Sequence, residues 1–245
     1  EGSAVNPSKD GTANCYIVPP VYSEYAFKAT VKGNSNESVG AISSAEVLWE
    51  TRNTSNSIKV GDVIAEVSFD GANVHFMLPP NPVPGNALIA VKDASGTILW
   101  SWHIWICDFD PDRTCQSYSN GNAFMDRNLG ATYVNAQNDE DRRRSEGLFY
   151  QWGRKDPFTG GHFTVSGSFS SLEEAHANPD AIGAEPWVRI DEIRTLWGEV
   201  KTQYDPCPSG WKVPDINLWE DFVYTNDSNP ANDTVHEKER GLEWE

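Results

Sequence analysis

The chain has 245 residues, with 36 acidic against 19 basic side chains and a formal charge of −17. That balance excludes sequence-independent attraction to nucleic acid or to an anionic membrane surface. The ten tryptophans and 38 % hydrophobic content exclude a disordered chain, and no run approaches the roughly 20 apolar residues that a membrane-spanning helix needs.

The polar opening EGSAVNPSKDGTAN reads as a flexible tether over residues 1–13. From Cys15 to Cys107 the pattern is all-β. CYIV, YAFKATV, AEVLWET, DVIAEVSF, NVHFML, NALIAVK and ILWSWHIWIC are short runs rich in β-branched and aromatic residues. Turn clusters separate them, and FDGANVHF and KDASGTILW read as hairpins closed by Asp/Gly turns. Seven strands at this spacing predict a β-sandwich or barrel over 14–107. In ILWSWHIWIC the alternation sends Trp100, Trp102, Ile104 and Ile106 one way and Leu99, Ser101, His103 and Trp105 the other. The second face is read either as one covered by the following module or as an aromatic platform for a sugar.

Composition changes after Cys107, where DFDPDRTCQSYSNGN begins a second module, 108–245. Residues 1–106 carry 6 basic and 10 acidic side chains and residues 107–245 carry 13 and 26, which also argues for two modules. Cys107 and Cys115 bracket a loop that a disulfide would close in an oxidising compartment. No CxxC is present, which argues against zinc and thioredoxin-type chemistry. Asp108, Asp110 and Asp112 alternate and offer hard oxygen ligands for Ca²⁺. The EF-hand glycine and distal glutamate are missing, so a solvated acidic loop is the competing reading and no cofactor is required. DEDRRR (139–144) reads as a solvated loop, with an ionic patch for a partner protein as the alternative. SLEEAHANPDAI carries a serine cap before an acidic first turn, and RIDEIRTLWGEV reads as a further short helix. In DINLWEDFVY, Asp215 reads as an N-cap before an apolar stripe of Ile216, Trp219, Phe222 and Val223. The prolines of DPCPSGWKVP (205–214) exclude helix and inner strand.

FMDRNLGAT (124–132), GLFYQWGRKDPF (147–158) and YDPCPSGWKVP (204–214), in this order, resemble the FISUMP-type (major paralogous) domain of exported proteins from Bacteroidetes-type bacteria. That family is similar to the C-type lectin fold and, more distantly, to the formylglycine-generating sulfatase-modifying enzymes. Residues 14–108 resemble the β-module that precedes it in fimbrillin-like surface lipoproteins. The resemblance implies a mainly β protein with an α+β part: an N-terminal β-sandwich followed by a C-type-lectin-like domain. It implies that Pro208 and Pro214 hold a turn over Trp211 and Trp219, and that Cys207 pairs with a late cysteine. No cysteine follows Cys207 here, which leaves it free or paired with Cys15, and the second domain is expected to be incomplete at its C-terminus.

Catalytic signatures are missing. GxSxG and HExxH do not occur, and His103, His162 and His236 have no patterned partners. The late cysteines of the sulfatase-modifying relatives are missing too, as are the lectin calcium signatures EPN and WND. Aromatic faces that could stack on pyranose rings are Trp105, Tyr150, Trp152, Trp187 and Trp197. The expected function is non-enzymatic: adhesion, or recognition of host or microbial glycans or surface proteins, as a fimbrial tip or accessory subunit. The alternative is a structural pilus or spacer module that binds neighbouring subunits; an enzyme of the sulfatase-modifying type ranks third. The resemblance implies export to the bacterial cell surface or outer membrane, with membrane contact only through a lipid anchor.

Overall fold

The computed structural model describes residues 4–118, 121–159, 164–165, 167–184 and 186–214. The chain is mainly β. Glu1–Phe109 together with Arg127–Val213 form one compact unit, and Asp110–Asp126 belong to a second.

All seven runs read as strands form strands. They are β1 (Cys15–Val18), β2 (Glu24–Lys28), β3 (Ser44–Thr51), β4 (Glu66–Phe69), β5 (Asn73–Met77), β6 (Gly85–Lys92) and β7 (Ile98–Ile106). Four make a sheet in the order β1-β7-β6-β3, with β1 parallel to β7 and the other pairs antiparallel. Three make an antiparallel sheet in the order β2-β5-β4. Both Asp/Gly hairpins are present. Asp70 Oδ1 accepts from the backbone N–H of Ala72 and Asn73, and Asp93 Oδ1 does the same for Ser95 and Thr97. Each carboxylate holds its own turn closed while a glycine takes the left-handed position, Gly71 at φ 102° and Gly96 at φ 88°.

One apolar core joins side chains of both sheets, including Phe27 and Phe76 from one and Ile89, Trp102 and Ile104 from the other. Phe27 meets Trp102 edge-on with ring centroids 5.2 Å apart. The alternation of β7 holds from Trp100 onward. Leu99 departs from it, because the register slips between Val91 and Lys92, where Lys92 faces Ile98 and Val91 faces Trp100. This bulge turns Leu99 onto the core.

The rest of the larger unit carries short elements. α2 (Asp139–Glu146) occupies the DEDRRR run read as a loop. Its Asn138 cap accepts from Asp141 N, three acidic residues sit in its first turn and two arginines in its last, so charge order along the macrodipole supports a helix with no buried residue. α3 (Leu172–Ala177) starts at the expected serine, Ser171, whose side chain accepts from Glu174 N. α4 (Ile190–Leu196) follows within the RIDEIRTLWGEV run, and a two-stranded parallel pair joins β10 (Thr164–Val165) to β11 (Ala181–Ile182). A second apolar cluster gathers Phe169, Trp187, Ile193, Leu196 and Trp197. In the smaller unit, Asp110 caps α1 (Pro111–Thr114), and β8 (Gln116–Ser117) pairs with β9 (Ala123–Phe124). Residues 4–13, expected as a tether, include a parallel bridge from Val5 to Tyr25 of β2. The helix expected over DINLWEDFVY, with Trp219, lies outside the described residues.

Candidate functional site

The second face of β7 is covered. Trp105, read as a sugar platform, is fully buried; its indole N–H donates to Ala131 O at 3.2 Å and its ring packs 5.1 Å from Phe109. His103 lies between Cys15 Sγ (3.3 Å from Nδ1) and Asn86 Oδ1 (2.9 Å from Nε2). Asn86 donates its amide to Gly130 O, which fixes Oδ1 as the acceptor. His103 therefore carries its proton on Nε2, and its Nδ1 accepts a hydrogen bond from the Cys15 thiol.

This thiol–imidazole–amide connectivity is the one that cysteine hydrolases use. The burial is not: Cys15, Asn86 and His103 are at most 1 % exposed. Burial pushes the thiol of Cys15 up and the imidazole of His103 down to about 3. Both groups stay neutral, and a neutral buried thiol is chemically inert. Beside them, Lys155 Nζ reaches Asp156 Oδ1 at 2.5 Å and Ser101 Oγ at 2.6 Å, with Ser101 Oγ 2.6 Å from the same carboxylate oxygen. Burial lowers the ammonium of Lys155, against the pull of Asp156. These groups tie β7 to the GLFYQWGRKDPF stretch.

That stretch brings four of the five predicted aromatics together. Trp187 donates its indole N–H to Trp152 O at 2.9 Å, Trp152 meets Trp197 edge-on at 5.1 Å, and Tyr150 packs against the same cluster. Trp187 and Trp197 are core side chains, and the phenol oxygen of Tyr150 is buried. Only Trp152 offers its ring to solvent, at 47 % exposure. The cluster is organised by Arg154, whose guanidinium donates to the carbonyls of Ala175, Asn178 and Ala181 and lies among the rings of Phe158, Phe169 and Trp187.

The DPCPSGWKVP loop is held by two charges. Asp205 accepts from Cys207 N, Val213 N and Lys201 Nζ, and Lys201 also donates to Cys207 O and Trp211 O. Asn14, the residue before β1, donates to Gln203 O and Asp205 O, which docks the loop at the start of that strand.

An open feature of the larger unit is a polar cleft of about 220 Å³. One wall is the end of β3 and the loop Asn53–Ile58; the other is Arg143 and Glu146 of α2, then Gly147 and Phe149, with Thr159 beside them. Asn53 takes the left-handed conformation at φ 54°, which its residue type tolerates. Its amide donates to Gly130 O and Gly147 O, pinning the loop to the opposite wall. α2 stops at Gly147, φ 76°, where a Cβ would lie 2.5 Å from Leu129 O; only glycine lets the chain turn there. The turn buries Leu148 and leaves Phe149 58 % exposed at the cleft. Glu50 spends both carboxylate oxygens on the backbone N–H groups of Asp62, Val63 and Ile64. Burial raises its pKa above the usual carboxylate range even against those donors. The Arg143 and Glu146 side chains make no hydrogen bond or ion pair with the described residues, and the hydroxyl of Thr159, a residue 6 % exposed, has no partner. An aromatic face beside unspent hydrogen-bonding groups is what a hydroxyl-rich ligand requires.

The remaining expected site residues lie elsewhere. All four cysteines are free thiols; Cys107 Sγ accepts from Arg127 at 3.5 Å, and Cys115 approaches Asp112 O. Asp108 is exposed at the end of β7, and Asp110 is spent on capping α1. Among the described residues, no three His, Cys, Asp or Glu side chains are placed to hold a metal ion. Sequence reading missed Phe149, Arg143, Glu146 and the 53–58 loop. The signal available was the Asn/Ser/Thr density of TSNS (54–57); Phe149, set between Leu148 and Tyr150, carried none. No helix among the described residues is long and apolar enough to cross a membrane. No family model, curated protein or solved structure matches the chain.

Proposed function

We propose that the protein is a non-enzymatic, exported cell-surface recognition subunit. In this reading a β-sandwich carries a FISUMP-type, C-type-lectin-like domain, and glycans bind in the cleft beside Phe149. The observation that carries the reading is that exposed ring, set against uncommitted Arg143 and Glu146 and an amide- and hydroxyl-bearing loop. Trp152, exposed three residues on, offers a second ring for a longer ligand. The buried, neutral state of the Cys15–His103 pair speaks for binding over hydrolysis.

A glycan array probed with the purified chain, with Ca²⁺ and with chelator, tests the reading. Saturable binding that survives chelation is expected, because the Glu50 oxygens in the cleft already serve backbone N–H groups. A structural spacer is the second reading, favoured by β4, which stands at the edge of its sheet, the position at which a donated strand pairs. An array without signal, together with capture of pilus subunits, would replace the recognition reading with that one.

A further inference from the structure

The charge and size of the cleft narrow its ligand. Its walls carry two carboxylates, Glu50 and Glu146, against one guanidinium, Arg143. A third carboxylate, Glu140, accepts from Ser55 N of the facing loop. The full sequence carries −17. An incoming sulfate or carboxylate would meet net negative potential, and Arg143 alone would have to offset it. Uncharged hydroxyls meet a different situation. The Glu146 carboxylate accepts from them and the Arg143 guanidinium donates to them, and both are charge-assisted bonds. At about 220 Å³ the cleft falls below the roughly 300–1,000 Å³ of sites for drug-sized ligands, so it suits one ring and not a chain. The exposed ring of Phe149 supplies the apolar wall on which the C–H face of a pyranose stacks.

We infer that the cleft takes a single uncharged pyranose, the terminal residue of a glycan, stacked on Phe149 and hydrogen-bonded by Glu146 and Arg143, and that it discriminates against acidic sugars. This inference rests on the glycan-recognition reading and specifies its ligand.

The test is saturation-transfer NMR and calorimetry on the full chain. The neutral probes are the methyl glycosides of glucose, galactose, mannose and N-acetylglucosamine; the acidic probes are glucuronic acid and N-acetylneuraminic acid. At least one neutral probe is expected to bind saturably, about tenfold or more tighter than either acidic one. Phe149→Ala should abolish the signal, and Glu146→Gln should both weaken the neutral probe about tenfold and narrow the discrimination. These side chains are exposed, and unchanged thermal unfolding of each variant shows that the fold is kept. Equal or tighter binding of an acidic probe overturns the inference and leaves glycan recognition standing. Binding to arrayed oligosaccharides with no monosaccharide bound does the same. Binding that persists in Phe149→Ala but is lost in Trp152→Ala moves the site out of the cleft and overturns the inference. Silence on every probe and on the array brings down both the inference and the reading beneath it.

Discussion

Lys155 and Asp156 show how a polar residue can be structural in one context and look catalytic in another. Their side chains are 0 % and 2 % exposed, and the ammonium also lies 4.4 Å from the centre of the Trp100 ring. An ion pair this deep recovers its desolvation cost only while both partners are present. Lys155→Met leaves a buried carboxylate with only Ser101 to serve it, and should destabilise the chain by about 3–5 kcal/mol in urea unfolding. Adding Asp156→Asn, which removes the stranded charge and keeps an acceptor for Ser101, should return much of that loss. A double variant no more stable than the single one would refute this account.

At the scale of the element, the DPCPSGWKVP loop has no regular backbone ladder, so its donors and acceptors must be met by side chains. Asp205, 2 % exposed, meets two backbone N–H groups and the Lys201 ammonium. Asp205→Ala should therefore cost about 3 kcal/mol, visible as a lower denaturation midpoint and as faster amide exchange at Cys207 and Val213. Wild-type exchange at those two amides would show that the loop is held by its prolines instead. β7 makes the complementary point. Its even-numbered side chains from Trp100 onward fill the core that both sheets share, and its odd-numbered ones from Ser101 onward are buried as well, so both faces are dry.

Across the whole molecule, the buried imidazoles set the response to acid. His103 is pushed down to about 3 and His176 well below its ordinary range, both chiefly by burial. Groups whose folded values are depressed bind fewer protons in the native state, so stability holds above the unfolded value near 6.5 and falls as pH drops below it. For His103 alone the loss at pH 5 is about 2 kcal/mol. His75 has the opposite sign: hydrogen bonds to Asp70 and Glu24 raise it, so its contribution is present below about 6.5 and fades as pH rises through the folded value. It is partly exposed, and solvent screening keeps that contribution small. Urea unfolding at pH 7 and pH 5 should therefore show a clear loss at pH 5, reduced in His103→Gln. A flat profile would mean that the imidazole is hydrated in solution.

Features that depend on neighbours along the chain were legible in the residue pattern. Period-two runs placed the seven strands, Asp70 and Asp93 closed their own turns, and Ser171 marked the start of α3, because each signal acts within a few residues. The same local logic missed α2, where an asparagine cap and charge order outweighed the lack of an apolar face. Which aromatics are buried follows from long-range packing. Trp105 and Trp187 are as aromatic as Trp152 and Phe149, and nothing in their immediate sequence tells a packed ring from an exposed one. The same packing also brought Cys15, Asn86 and His103 to one point, and set the 53–58 loop against α2 to make the cleft. Those juxtapositions join residues tens of positions apart. They are fixed by strand register and by the packing of distant segments, which a pattern read one window at a time does not contain.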